Sequence, residues 1–199
     1  MPNPNVGMMY PVFAPLASHT DGSMPSYGTG VVIQEARNAT VSKTYNENPL
    51  YGDDRIVDDD NGMTALNISF EPTGLSDSDR VLLFGETLKG NVGGVTAQVE
   101  MDNETPYGGF GYIRKMRDNG EYSYEAWIIL KVKFTEESQT TATKEQNITW
   151  TVPTLNGRAA ALDIDGSGKL SWRIHCSFTS ASAAKTWLNT MLNVSTATT

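Results

Sequence analysis

The stretch Tyr122–Phe134, YSYEAWIILKVKF, decides the fold. Every even position is apolar: Tyr122, Tyr124, Ala126, Ile128, Leu130, Val132 and Phe134. The odd positions carry Ser123, Glu125, Lys131 and Lys133, with Trp127 and Ile129 in the middle. A period of two belongs to a β-strand, whose side chains point alternately to opposite faces. One apolar and one polar face is what an antiparallel sheet produces. Trp127 and Ile129 make the strand apolar on both sides at its centre, so both faces need cover. A helix of the same chain or a neighbouring subunit would supply it, and the sequence leaves both open.

The same pattern recurs along the chain. Ile148, Trp150 and Val152 alternate with Asn147, Thr149 and Thr151. Leu170, Trp172, Ile174, Cys176 and Phe178 are expected inside, with Ser171, Arg173, His175 and Ser177 outside. Shorter runs are Leu66, Ile68, Phe70 and Val95, Ala97, Val99, Met101. Asn119-Gly120 between two strand-like runs is a hairpin signal, because both turn positions need positive φ. Its register stays open, since a shift of one residue exchanges a strand's faces. Together these predict a mainly β protein, an antiparallel sandwich or barrel.

One or two helices flank it. Ser76 caps a helix with Asp79 three residues later and Gly85 after its last apolar residue. Ala184, Trp187, Leu188, Met191 and Leu192 form one apolar face of a helix over 180–193, starting near Ser180 or Ser182. Residues 1–20 read as an N-terminal arm and 194–199 as a flexible tail. No repeat or linker divides residues 1–199, which read as one domain.

The chain of 199 residues carries a net charge of −8 with a pI near 4.7. Such a surface repels nucleic acid on average. One cysteine, Cys176, excludes an internal disulfide. The proline-interrupted start MPNPNVGMMYPVFAP does not read as a secretory signal, and no apolar run spans a bilayer. A cytoplasmic site of synthesis and no membrane partner are therefore expected.

No catalytic set emerges. His175 and Cys176 are neighbours on a strand and point to opposite faces, which prevents a side-by-side nucleophile pair. Asp163, Asp165 and Ser167 begin like a calcium loop, with Gly168 at position six. Ile174 stands at position twelve, where a bidentate carboxylate is required. A turn without calcium is expected. The glycines at 28–30, 90–94 and 108–111 lack phosphate-loop spacing and read as bulges and turns. The charge run Asp53–Asp60, DDRIVDDD, reads either as a solvated loop or as a functional projection.

Two blocks carry a family resemblance. Pro49–Gly85, PLYGDDRIVDDDNGMTALNISFEPTGLSDSDRVLLFG, resembles the major tail proteins of siphophages that infect Gram-positive bacteria. So does Pro106–Ala159, PYGGFGYIRKMRDNGEYSYEAWIILKVKFTEESQTTATKEQNITWTVPTLNGRA. The shared features are a strand, acidic turn, strand, helix order in the first block. In the second they are a Gly-Phe-Gly-Tyr strand, a charged Asn-Gly hairpin and a Ser-Tyr-Glu-Ala strand. The helix around Trp187-Leu188 also fits.

The resemblance implies a tail-tube fold and a structural virion protein, not an enzyme, with no cofactor or metal. Its subunits form hexameric rings that stack into the tube through which DNA leaves the virion. The implied partners are copies of itself, the tape measure, terminator and distal tail proteins, and DNA passing without specific binding. The implied location is the virion tail, assembled in the cytoplasm of a host bacterium. Candidate inter-subunit or lumen residues are Asp53, Asp54, Asp58, Asp59, Asp60, Arg114, Lys115, Arg117, Trp127 and Ile129. Carboxylates facing a channel would repel phosphates by about 0.4 kcal/mol at about 10 Å in water, enough to avoid sticking. The competing expectation is a β-sandwich binding module, a virion decoration or carbohydrate-binding protein, using Trp127 and nearby tyrosines as a platform.

Overall fold

The computed structural model describes residues 4–33, 35–46, 49–53, 55–59, 62–99, 104–118, 120–138 and 152–195. In chain order the first strands are β1 (Asn5–Ser18), β2 (Ser26–Tyr27), β3 (Val31–Val32), β4 (Ala36–Tyr45), β5 (Pro49–Gly52), β6 (Arg55–Asp59) and β7 (Met63–Pro72). Helix α1 (Asp77–Phe84) follows, then β8 (Thr87–Val92), β9 (Val95–Val99), β10 (Gly108–Asp118) and β11 (Glu121–Ser138). The chain closes with β12 (Thr154–Ala159), β13 (Leu162–Asp163), β14 (Leu170–Ser171), β15 (Arg173–Phe178) and α2 (Ala181–Met191). The protein is mainly β, with antiparallel sheets, two helices and a sandwich-like form.

One sheet of nine strands runs β2-β1-β10-β11-β12-β7-β4, with β15 also on β11 and β3 on β1. It curls so that distant strands share one interior. Phe110 of β10 meets Phe70 of β7 edge-on at 5.1 Å, and Phe134 of β11 at 5.2 Å. Phe13, Leu66, Ile68, Ile129, Val132 and Leu155 complete this first core. A second core lies on the outer side of β1, β10 and β11, where α2 packs through Ala184, Leu188 and Leu192.

Strand β11 supplies both cores, and the even-position alternation is corrected on this point. Phe110 pairs with Ile129 and Gly108 with Val132, so one residue of β10 faces two of β11. The extra residue is a bulge at Leu130-Lys131, which reverses the sense of the alternation. Ala126, Ile128 and Leu130 therefore lie under α2, whereas Val132 and Phe134 turn into the sandwich core beside Ile129. The bulge's backbone groups are paired: Leu130 N–H donates to the Trp172 carbonyl at 3.1 Å and Ala160 N–H to the Lys131 carbonyl at 2.8 Å. Tyr27 Oη donates to the Leu130 carbonyl at 2.7 Å. Burial pushes the Tyr27 phenol well above its ordinary pKa.

Local signals map directly onto structure. Ser76 Oγ accepts from Asp79 N–H and the Asp79 carboxylate accepts from Ser76 N–H, a capping box, and Gly85 ends α1 at φ 73. Helix α2 starts from Ser180 as its cap. Asp118 pairs with Glu121, which sets a two-residue turn containing Gly120 at φ 93. Asn119, Met101 and the run from Asn147 to Thr151 lie outside the described residues.

Three expectations are corrected. Residues 5–18 are not a peripheral arm: they form β1, paired to β10, with Val12, Phe13 and Ala14 wholly buried. Pro11 sits where the register of β1 slips between Met9 and Val12, a bulge position that tolerates proline's missing N–H. Leu170 is 66% exposed, because β14 pairs only with β13 outside the main sheet. Cys176 is exposed: β15 bonds only to β11 among the described strands, which leaves its other edge without a strand beside it.

Gly109 and Gly111 let α2 approach β10. A Cβ at Gly109 would stand 2.6 Å from the Tyr27 ring and 2.8 Å from Leu192, and one at Gly111 2.7 Å from Leu192. The Tyr27 ring is pinned by its hydrogen bond and cannot retreat cheaply. Gly109→Ala is expected to destabilise the fold by about 1–3 kcal/mol. The readout is a lower urea midpoint at unchanged slope.

Candidate functional site

Three strands set one group of polar and aromatic side chains side by side. Tyr112 of β10 pairs with Trp127 of β11, which pairs with His175 of β15. One step away are Arg114 and Glu125, and on the other side Ile129 opposite Arg173. His175 stacks on the Trp127 ring at 4.1 Å with 11° between planes. The Arg173 guanidinium lies 4.3 Å from the same ring centroid, a cation–π distance. Trp127 Nε1 donates to Glu125 Oε2 at 3.1 Å, and Arg114 stands 3.7 Å from that oxygen. A cavity of about 320 Å³ opens beside them, with Tyr112, Arg114 and Arg173 in its wall. Burial raises the Tyr112 phenol, an effect that the charges of Arg173 and Arg114 partly offset.

The odd face of β11 is thus covered by the chain itself. Ile129 is 0% exposed and belongs to the sandwich core, so it is unavailable as a contact to another subunit. Trp127 is half-buried against the same core. The helix expected as cover lies on the other face. Trp127 is no open platform for a sugar ring, because His175 and Arg173 already occupy its π-surface.

The basic candidates divide. Arg114 belongs to the Trp127 group, while Lys115 and Arg117 gather at Tyr122, with Lys115 Nζ 3.8 Å and Arg117 Cζ 5.7 Å from its centroid. Alternation along β10 puts Arg114 on the face opposite to the other two. The acidic segment forms the hairpin β5–β6, a two-stranded ladder separate from the nine-stranded sheet. Asp53 is exposed at its turn with φ 49, and Asp58 and Asp59 belong to β6. Val57 beside them is 61% exposed. Asp54 and Asp60 lie outside the described residues.

The loop after β13 uses its aspartate inwardly. Asp163 Oδ1 accepts from the N–H groups of Asp165 and Gly166, at 3.2 and 2.8 Å, and Oδ2 from Gly168 N–H at 3.0 Å. Both carboxylate oxygens are thereby engaged in holding the turn. Among the described residues no three His, Cys, Asp or Glu side chains group as metal ligands. No helix among them is long and apolar enough to cross a membrane.

Sequence reasoning did not join Arg173, His175 and Tyr112 to Trp127. The alternation placed Arg173 and His175 on one face, but which strand neighboured theirs was not encoded locally. No protein-family model matches the chain, and no curated protein matches it.

Calorimetric titration with calcium is expected to show no tight one-to-one site, and a tight site would overturn the reading of the Asp163 loop. Trp127→Ser is expected to destabilise the protein by about 2–3 kcal/mol through lost burial. That loss is to be read in denaturant under conditions where the protein is monomeric.

Proposed function

We propose that the chain is a structural subunit that assembles with itself into rings, stacked as the tail tube of a siphophage, and is not an enzyme. The reading rests on the resemblance carried by Pro49–Gly85 and Pro106–Ala159. The observation that carries it furthest is the element order: β5, an acidic turn at Asp53, β6 with β7, then α1, followed by the β10–β11 hairpin. Two features of the sheet support self-association. The outer edge of β4 has no strand beside it among the described residues, and joined edges satisfy backbone groups across subunits. The hairpins β5–β6 and β8–β9 stand outside the main ladder and carry exposed Val57 and Val95. A head-to-tail contact that closes gives a ring, and a repeated axial contact gives a filament.

Within this reading the acidic hairpin reaches either into the channel or to the next ring, and a projecting hairpin favours the second. Negative-stain microscopy of concentrated protein is expected to show rings or tubes. A monodisperse monomer with glycan affinity would instead support the binding-module reading. Combining Asp58→Asn, Asp59→Asn and Asp60→Asn is expected to change tube length and its salt dependence. Intact assembly with slowed DNA passage would place the hairpin in the channel, and wild-type behaviour in both would make it a plain solvated turn.

A further inference from the structure

We propose that the cavity between Arg114 and Arg173 is a binding site for an oxyanion, a carboxylate or phosphate group. The inference goes beyond the tube reading and does not require it. The cavity encloses about 320 Å³, and its wall includes Asn5, Thr40, Tyr112, Arg114 and Arg173. Two guanidiniums from strands on opposite sides of β11 converge on it, in a chain whose net charge is −8. Glu125 is the carboxylate at hand, 3.7 Å from Arg114, and its Oε2 already accepts from Trp127. Among the described residues no carboxylate forms an ion pair with Arg173. The group is left with one positive charge in excess, facing a pocket.

Arg173 is also held in place. Its guanidinium rests over Trp127 at 4.3 Å, and its positive charge acts on the neighbouring Tyr112 phenol. A planar fork fixed in this way loses little freedom on meeting a two-oxygen acceptor, which is the geometry arginine recognises best. Neutral donors complete the wall. Asn5 accepts from Gly7 N–H through Oδ1, which leaves its amide N–H groups to donate, and Thr40 adds a hydroxyl. The side chain of Arg114 is 33% exposed, so its attraction for an anion is screened less than that of a fully solvated cation.

The same chemistry has two sources, a free oxyanion in solution or an acidic side chain of a second copy. Calorimetric titration of the full chain with inorganic phosphate and with succinate, against chloride at matched ionic strength, tests the site. Saturable one-to-one binding is expected for at least one of the two. Arg173→Gln is expected to weaken it by about tenfold or more. Arg114→Gln, scored in the same way, covers the case in which the first variant fails to fold by circular dichroism. Absence of saturable binding beyond chloride, or wild-type affinity in a folded variant, overturns the proposal. Sedimentation at rising protein concentration then separates the sources. Association weakened by both phosphate and Arg173→Gln identifies a second copy's carboxylate, and association indifferent to both identifies a free ion. Anion binding by a chain that never forms rings would uphold the site and sink the tube, whereas rings without anion binding would do the reverse.

Discussion

A single extra residue in β11 organises the molecule. The bulge at Leu130-Lys131 turns the strand's apolar positions from one side of the sheet to the other. Before it, Ala126, Ile128 and Leu130 make the floor on which α2 lies. After it, Val132 and Phe134 enter the sandwich core. A strand with unbroken alternation would leave those last two outside. The partner of β11 changes at the same place, from β15 at Tyr124–Ile129 to β12 at Val132–Ser138. The bulge is therefore also the junction between two parts of the curled sheet. Its backbone groups are met by Trp172, Ala160 and Tyr27, which come from three separate segments. Register, curvature and the placement of both cores are tied together at this point.

Close approach is the second constraint. An aromatic core needs space where strands cross, and the sequence supplies it with glycine. A Cβ at Gly157 would lie 2.8 Å from the Phe134 ring. The missing side chain at Gly157 leaves room for that ring, just as Gly109 and Gly111 leave room for Tyr27, Leu188 and Leu192 on the other face. Phe70, Phe110 and Phe134 then meet in edge-on and tilted pairs, the arrangement that their quadrupoles favour.

These two constraints explain what the sequence disclosed. Helix caps at Ser76 and Ser180 and the turn at Gly120 were legible, because each depends on a few adjacent residues. Strand existence was legible from alternation in β7, β9, β11 and β15, whereas the glycines at 108–111, read as bulges and turns, begin β10. The bulge was not, since parity changes only relative to a partner strand. Strand β12 was hidden because Gly157 stands where its alternation would carry an apolar side chain, and Gly157 is there to receive Phe134. Strand β1 was hidden by Pro11 and Pro15 and by Tyr10, which adopts φ 56 at the register slip. The group around Trp127 was half legible. Its aromatic and one arginine stood out, but Arg173 and His175 joined only once β15 was seen to pair with β11.

The position of that group follows from the bulge as well. Up to Ile129 the odd positions of β11 face the sandwich interior, so Trp127 points inward and Glu125 follows at the mouth. β15 leaves β11 where the bulge begins, and Arg173 is its first residue. Arg173 is therefore held against Trp127 at the mouth of the interior, where the sheet edge ends and solvent begins. A guanidinium deep in the core would carry a heavy desolvation cost, and one on the outer face would be screened by water. At the mouth it keeps partial hydration and gains an aromatic surface and a phenol oxygen as neighbours. Hydrophobic register alone is enough to bring Arg114 and Arg173 to one opening. The charges at that opening therefore follow from how the core divides, even though the chain as a whole is acidic.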